Sequence, residues 1–296
     1  MGTVDFTKIK VLVADGDSWT AGDIVDPVRF KDEPWHVNHP DNAAYRYPRV
    51  WPHKLAKKLG IECINISNAG SSNDGILRRT LNELDKVLEK YKPEEIFYIV
   101  GWSSPERKDF FYKTDEHRAV WETMYPGEIH HFKGYEAAID RFYKEYVMSF
   151  WNSEEFITRY LQHNLTLHYF FKAHNIQHLF FDAFYESKEA VMSTDHNIRD
   201  SKKLYSVFLD MMKDKDRLES LQLTNPLKKY NKIVESNFVD TSFNSYILDI
   251  EKELGRMLIT FHPNEEGHEL WADYLHKFLI KNHRIKKKLR ALRVFT

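Results

Sequence analysis

Cysteine is almost absent: the 296-residue chain has one, Cys63. A single thiol makes neither an internal disulfide nor a cysteine zinc site. It fits a reducing compartment, and within the apolar run 61–66 it reads as a buried core thiol. Long apolar runs are missing too. No stretch approaches the roughly 18 apolar residues that a bilayer span requires. Residues 1–10 carry charges without an apolar centre, so no signal peptide is read there and the expected location is the cytoplasm. Charge of one sign is also lacking. The formal net charge is −1, which gives no global attraction to nucleic acid or to an anionic membrane. No Gly-x-Gly-x-x-Gly follows any apolar run, which argues against a dinucleotide site. No repeat or low-complexity linker divides the chain, so 1–296 is expected to form one elaborated domain.

An apolar share of 42% and a charged share of 29% describe a globular protein with a sizeable core. Strands are expected at 9–14, 62–66, 96–100 and 178–181, where short β-branched runs end in turn residues. Helices are expected at 51–59, closed by Gly60, and at 76–91, closed by Pro93. Further helices are expected at 153–173 and after Pro263, with Asn264 as a cap. Alternating strands and helices imply a parallel sheet covered on both faces. The stretch between Gly101 and His178 is longer than a crossover helix needs. Aromatics make up 15% of the chain and crowd positions 110–151. A helical, aromatic-rich insertion is expected at about 109–146, where it would line or cover a ligand crevice. An irregular region at about 186–237 is expected to hold helical stretches such as 203–212. Lys281, Arg284, Lys286, Lys287, Lys288, Arg290 and Arg293 form a basic tail, either a solvated helix end or a dock for an acidic partner or nucleic acid.

In an open parallel sheet the crevice lies beyond the carboxyl ends of the strands. Ser18, Gly70, Ser103 and His262 all fall in that zone. A serine needs a base to take its proton, and the fold must bring that base to it. His262 is the candidate. His268, one turn into the last helix, reads as packing or as a hydrogen-bond donor.

These blocks carry a family resemblance. Gly16-Asp17-Ser18, Asn68-Ala69-Gly70, Gly101-Trp102-Ser103-Ser104 and His262-Pro263-Asn264 resemble, in order, the four blocks of the SGNH (GDSL-type) hydrolases. The resemblance implies a three-layer α/β/α, flavodoxin-like fold and hydrolysis of an acyl ester, as by an esterase or deacetylase. It implies Ser18 as nucleophile, His262 as base and Gly70 as a backbone oxyanion donor, with no metal or organic cofactor. Ser18 N–H, Asn73 and Ser103 complete the expected oxyanion donors. Asp17, Trp19, Trp102, Ser104 and Arg107 are candidate substrate contacts, Arg107 for an anionic group. Small-molecule and glycan esters are the expected substrates. Ser103 stands where the family has asparagine, and Ile259 where it has the aspartate that orients the histidine. Asp182, Asp240, Asp249 or a backbone carbonyl could take the second role; otherwise a Ser-His dyad remains.

Two other readings stay open. Residues 11–20 also resemble the Asp-x-Asp segment of haloacid-dehalogenase-type phosphatases, with Asp15 as nucleophile, Asp17 as acid/base and Mg²⁺ as cofactor. Alternatively the fold serves binding or assembly without catalysis.

Overall fold

The computed structural model describes residues 6–31, 36–113, 119–124, 137–150, 152–184, 214–247 and 262–281. Its centre is a parallel sheet of β1 (Val11–Asp15), β2 (Glu62–Asn65), β3 (Ile96–Trp102) and a strand at Gln177–Asp182, in the spatial order β2, β1, β3, Gln177–Asp182. Parallel strands buried on both faces have no polar side to show, and β1 and β3 are buried along their whole length.

The period-two pleat sends alternate residues into two separate cores. Val11, Val13, Tyr98, Val100 and Phe180 face one way. There they meet Ile76 and Leu84 of one helix (Asn73–Leu88) and Leu161 and Phe171 of another (Ser153–Ala173). Leu12, Ala14, Phe97, Ile99 and Phe181 face the other way. Trp51 and Leu55 of the helix Trp51–Leu59 close that side with Trp271 and Leu275 of the helix Glu265–Lys281. The result is a three-layer α/β/α fold.

Among the described residues the helices are, in chain order, α1 (Ser18–Ala21), α2 (Ala43–Arg46), α3 (Trp51–Leu59), α4 (Asn73–Leu88), α5 (Ala137–Ser149), α6 (Ser153–Ala173), α7 (Lys215–Ser220), α8 (Thr224–Asn237) and α9 (Glu265–Lys281). Their ends follow from local chemistry. Gly60 closes α3 with a left-handed backbone, φ 66°. The Asn264 side chain accepts from Gly267 N–H at 2.9 Å, as a cap of α9 should. Cys63 is partly buried, and burial pushes its thiol up to about 12, so it is inert as a nucleophile.

The stretch between β3 and Gln177–Asp182 differs from its expected helical form. It opens with an antiparallel hairpin of β4 (Lys108–Lys113) and β5 (Ala119–Met124); α5 and α6 follow, and Gln177–Asp182 is therefore β6. Aromatic residues suit strands as well as helices, and Lys-Asp-Phe-Phe-Tyr-Lys has no clean alternation to reveal a strand. Phe110 packs on Phe142, Tyr143 and Tyr146 of α5, whereas Phe111 and Trp121 pair on the outer side. Residues 203–212, Asp249, Ile259 and the basic tail beyond Lys281 lie outside the described residues. Among the described residues, no helix is long and apolar enough to cross a membrane.

Candidate functional site

The strand order reverses direction between β1 and β3, and that switch point is where a doubly wound sheet opens a crevice. The chain leaves β1 through Gly16. A Cβ there would sit 2.3 Å from Thr20 Oγ1 and 2.9 Å from the Gly101 carbonyl oxygen, so only glycine lets the two strand ends approach. Asp17 then caps α1, its Oδ1 accepting from Trp19 N–H at 2.9 Å. This leaves Ser18 at the first helical position, where a backbone N–H has no acceptor within its own helix.

His262 comes from the segment before α9, 244 residues from Ser18 in sequence, yet its Nε2 lies 2.8 Å from Ser18 Oγ. Its other nitrogen, Nδ1, lies 3.3 Å from Asp23 Oδ2. Asp23 was not among the residues expected to orient the histidine. It follows the close of α1, where Gly22 adopts φ 81°. The loop beyond it is pinned by the buried Asn42. The Asn42 amide donates to the carbonyls of Ile24 (2.9 Å) and Val37 (3.0 Å), and its oxygen accepts from Asp26 N–H at 2.9 Å. The only sequence signal was an acidic residue close behind the candidate nucleophile, and no spacing rule singles it out.

Two of the carboxylates expected to orient His262, Asp240 and Asp182, are engaged elsewhere, and the third, Asp249, lies outside the described residues. Asp240 accepts from the Tyr274 hydroxyl. Asp182, at the end of β6, is buried and accepts from the Tyr160 hydroxyl. Burial pushes the Asp182 carboxyl up to about 7, against the lowering effect of that hydrogen bond. A carboxyl raised in the native state stabilises the fold at low pH. That contribution is complete below about pH 4 and lost as pH rises through about 7. Asp182→Asn keeps the shape and the acceptor for Tyr160 but cannot ionise. It is expected to raise stability at pH 8 by roughly 2–4 kcal/mol and to change little near pH 4. Urea melts at the two pH values check this, and an equal effect at both would refute it.

The expected oxyanion donors divide into two groups. Asn73 is committed at both ends of its amide: Nδ2 donates to Ser103 O at 2.9 Å, and Oδ1 accepts from Ser103 N–H at 2.8 Å. The Ser103 hydroxyl donates to Asp17 Oδ2 at 2.7 Å. Both side chains therefore brace the loop after β3 and are not presented as donors. The backbone N–H groups of Ser18 and Gly70 are the remaining candidates. Gly70 sits at φ 80° in the loop after β2, a conformation that favours glycine.

The candidate substrate contacts are also redistributed. Trp102 is fully buried against Tyr160, His163 and Phe180, on the core face covered by α6, so its ring does not line the crevice. Asp17 is wholly buried and bonded within the protein, and Ser104 is buried in the turn that its carbonyl makes with Arg107 N–H. Trp19 is buried edge-on to Phe184 and Phe243, with His262 at a ring separation of 6.3 Å, so it backs the histidine. The Arg107 guanidinium is mostly buried and faces Asp17, with Nη1 3.3 Å from Asp17 Oδ2. His268 lies fully buried and accepts from Trp51 N–H through Nδ1 at 3.4 Å, so here it is an acceptor; burial pushes its pKa down to about 3.

Asp15, the nucleophile of the phosphatase alternative, has no exposed surface. Its carboxylate accepts from Arg79 Nε (2.9 Å), Thr80 Oγ1 (2.8 Å) and Gly16 N–H (2.7 Å). Burial raises it to about 6 despite Arg79. A carboxylate so enclosed cannot attack a phosphate ester, and its role is to tie β1 to α4.

A family model described as a family of unknown function, DUF6071, matches residues 34–197. That stretch holds Gly70, Asn73, Ser103 and Arg107 but neither Ser18 nor His262. No curated protein matches the sequence. Among solved structures, the chain is similar to a G-D-S-L-family protein from Desulfitobacterium hafniense DCB-2. The identity is 14%, with 90% of this chain and 98% of that one covered, at a TM-score of 0.44. It is also similar to the esterase EstA from a Pseudoalteromonas species, at 14% identity, 92% and 97% coverage and a TM-score of 0.43. A member of the lipolytic G-D-S-L family from Veillonella parvula DSM 2008 matches at 12% identity, 92% and 99% coverage and a TM-score of 0.41.

Proposed function

The chain belongs to the DUF6071 family, a family of unknown function, and from that premise we propose that it is a serine hydrolase acting on an acyl ester. The observation that carries this reading is the 2.8 Å contact between Ser18 Oγ and His262 Nε2, made by residues from opposite ends of the chain. A hydroxyl at hydrogen-bond distance from an imidazole, with a carboxylate behind that imidazole, is the arrangement that activates a serine.

With a proton on Nδ1 facing Asp23, the His262 ring presents its Nε2 lone pair to the Ser18 hydroxyl. Ser18 Oγ attacks the ester carbonyl carbon as Nε2 takes its proton. The carbonyl oxygen becomes an oxyanion that the backbone N–H groups of Ser18 and Gly70 stabilise as charge develops. His262 then protonates the departing alkoxide, which leaves as the alcohol, and an acyl group remains on Ser18. Water, deprotonated by the same nitrogen, attacks the acyl carbon and releases the acid. Asp23 holds the ring orientation and stabilises the imidazolium formed in each half. Small-molecule or glycan esters are the substrate class, and the location is proposed to be the cytoplasm.

A fluorophosphonate probe tests the reading directly. One adduct on Ser18 is expected by peptide mass mapping, abolished by Ser18→Ala. A folded wild type that stays unlabelled while the variant keeps any biological role would favour the binding or assembly alternative.

A further inference from the structure

Three loops at the carboxyl ends of the strands meet on one nitrogen. Arg107 Nη1 lies 3.3 Å from Asp17 Oδ2, 2.9 Å from Ser103 Oγ and 3.3 Å from Ser71 O. Those partners belong to the loops after β1, β3 and β2, the loops that carry Ser18, Ser103 and Gly70. The guanidinium is mostly buried, with Phe184 beneath it at 5.4 Å, and Phe184 in turn packs on Trp19.

Two other side chains also hold this loop. Arg159 donates to the carbonyls of Pro105 (2.8 Å) and Arg107 (3.2 Å), and Asn73 brackets the Ser103 backbone. The Arg159 guanidinium is itself set by Asp74 at 3.0 Å. The Arg107 guanidinium has a different neighbour to serve. Asp17 is wholly buried and adjoins the nucleophile in sequence. A lone carboxylate there would repel an oxyanion forming at Ser18, in surroundings where water screens little.

We propose that Arg107 is a positioning residue for the reaction at Ser18. Its guanidinium cancels the charge of Asp17 and, with the Ser103 hydroxyl, fixes that carboxylate as the cap of α1. The anion that forms beside Ser18 N–H then meets no opposing field. This rests on the hydrolase reading above. A neutral ester carries no such charge before attack, so the effect falls on kcat and leaves KM nearly unchanged.

The test compares wild type with Arg107→Met, Arg107→Gln, Arg107→Lys and the double variant Asp17→Asn/Arg107→Met. The readouts are steady-state hydrolysis of p-nitrophenyl acetate and the rate of fluorophosphonate labelling, with thermal melts confirming the fold. Arg107→Met is expected to lower kcat about 100-fold or more with KM within about threefold of wild type. Arg107→Gln keeps hydrogen-bonding capacity without the charge; it is expected to show the same loss and carries the test if the Met variant does not fold. Arg107→Lys retains activity within about tenfold of wild type because the charge remains. Neutralising Asp17 in the Met background recovers about tenfold or more, a coupling that loop support alone would not produce. An active wild type whose kcat is indifferent to Arg107→Met or Arg107→Gln, or whose loss Asp17→Asn does not relieve, overturns this proposal alone. A folded wild type that neither hydrolyses the ester nor takes label at Ser18 overturns the hydrolase reading and this proposal together.

Discussion

His262→Ala is expected to lower kcat for a short neutral ester by about 10⁶-fold, close to the loss from Ser18→Ala, because nucleophile and base act as one unit. The geometry makes the point sharply. Ser18 is 6% exposed, and His262 Nε2 is placed to take its proton. A serine hydroxyl without that base is too poor a nucleophile to form an acyl-enzyme. The double variant Ser18→Ala/His262→Ala is expected to be no worse than either single one. Burst and steady-state kinetics on a p-nitrophenyl ester check this. Retention of more than a few per cent of wild-type kcat in a folded His262→Ala protein would remove His262 from the mechanism.

Asp23→Asn comes second in size. An asparagine keeps the volume beside His262 Nδ1 but loses the negative charge that stabilises the imidazolium. Its amide N–H can also turn toward Nδ1 and move the ring proton to Nε2, where it blocks proton transfer from Ser18. Loss of this function in a serine triad costs about 10⁴ in kcat, so a fall of 10³–10⁴-fold is expected. The separation of 3.3 Å is long for a charge-assisted bond. Such contacts often tighten only with substrate in place. Asp182→Asn and Asp240→Asn, whose carboxylates bond to Tyr160 and Tyr274, provide comparison variants of the same chemistry. A loss confined to position 23, with an unchanged melting temperature, assigns the orienting carboxylate. Wild-type activity in Asp23→Asn would leave a Ser18–His262 dyad.

The regular elements were legible because each has a local cause. Val11–Asp15 and Ile96–Trp102 are short apolar runs stopped by turn residues, and they are strands. Trp51–Leu59 carries its own stop in Gly60, whose positive φ few other residues accept. The aromatic stretch after β3 was less legible, since Phe110, Phe111 and Tyr112 suit either a strand or a helix. Antiparallel pairing with residues 119–124 made it a strand.

The sequence by itself determined the alternation of strands and helices. It also placed Ser18, Gly70, Ser103 and His262 at the carboxyl ends of strands or just before the last helix, because these follow from periodicity and turn chemistry. Only the tertiary structure decided that Asp23 faces His262, that Asn73 and Ser103 brace a loop, and that Arg107 pairs with Asp17. Those partnerships depend on which side chains meet between segments dozens of residues apart. A hydrogen bond a few ångströms long leaves no periodic trace in the chain that makes it.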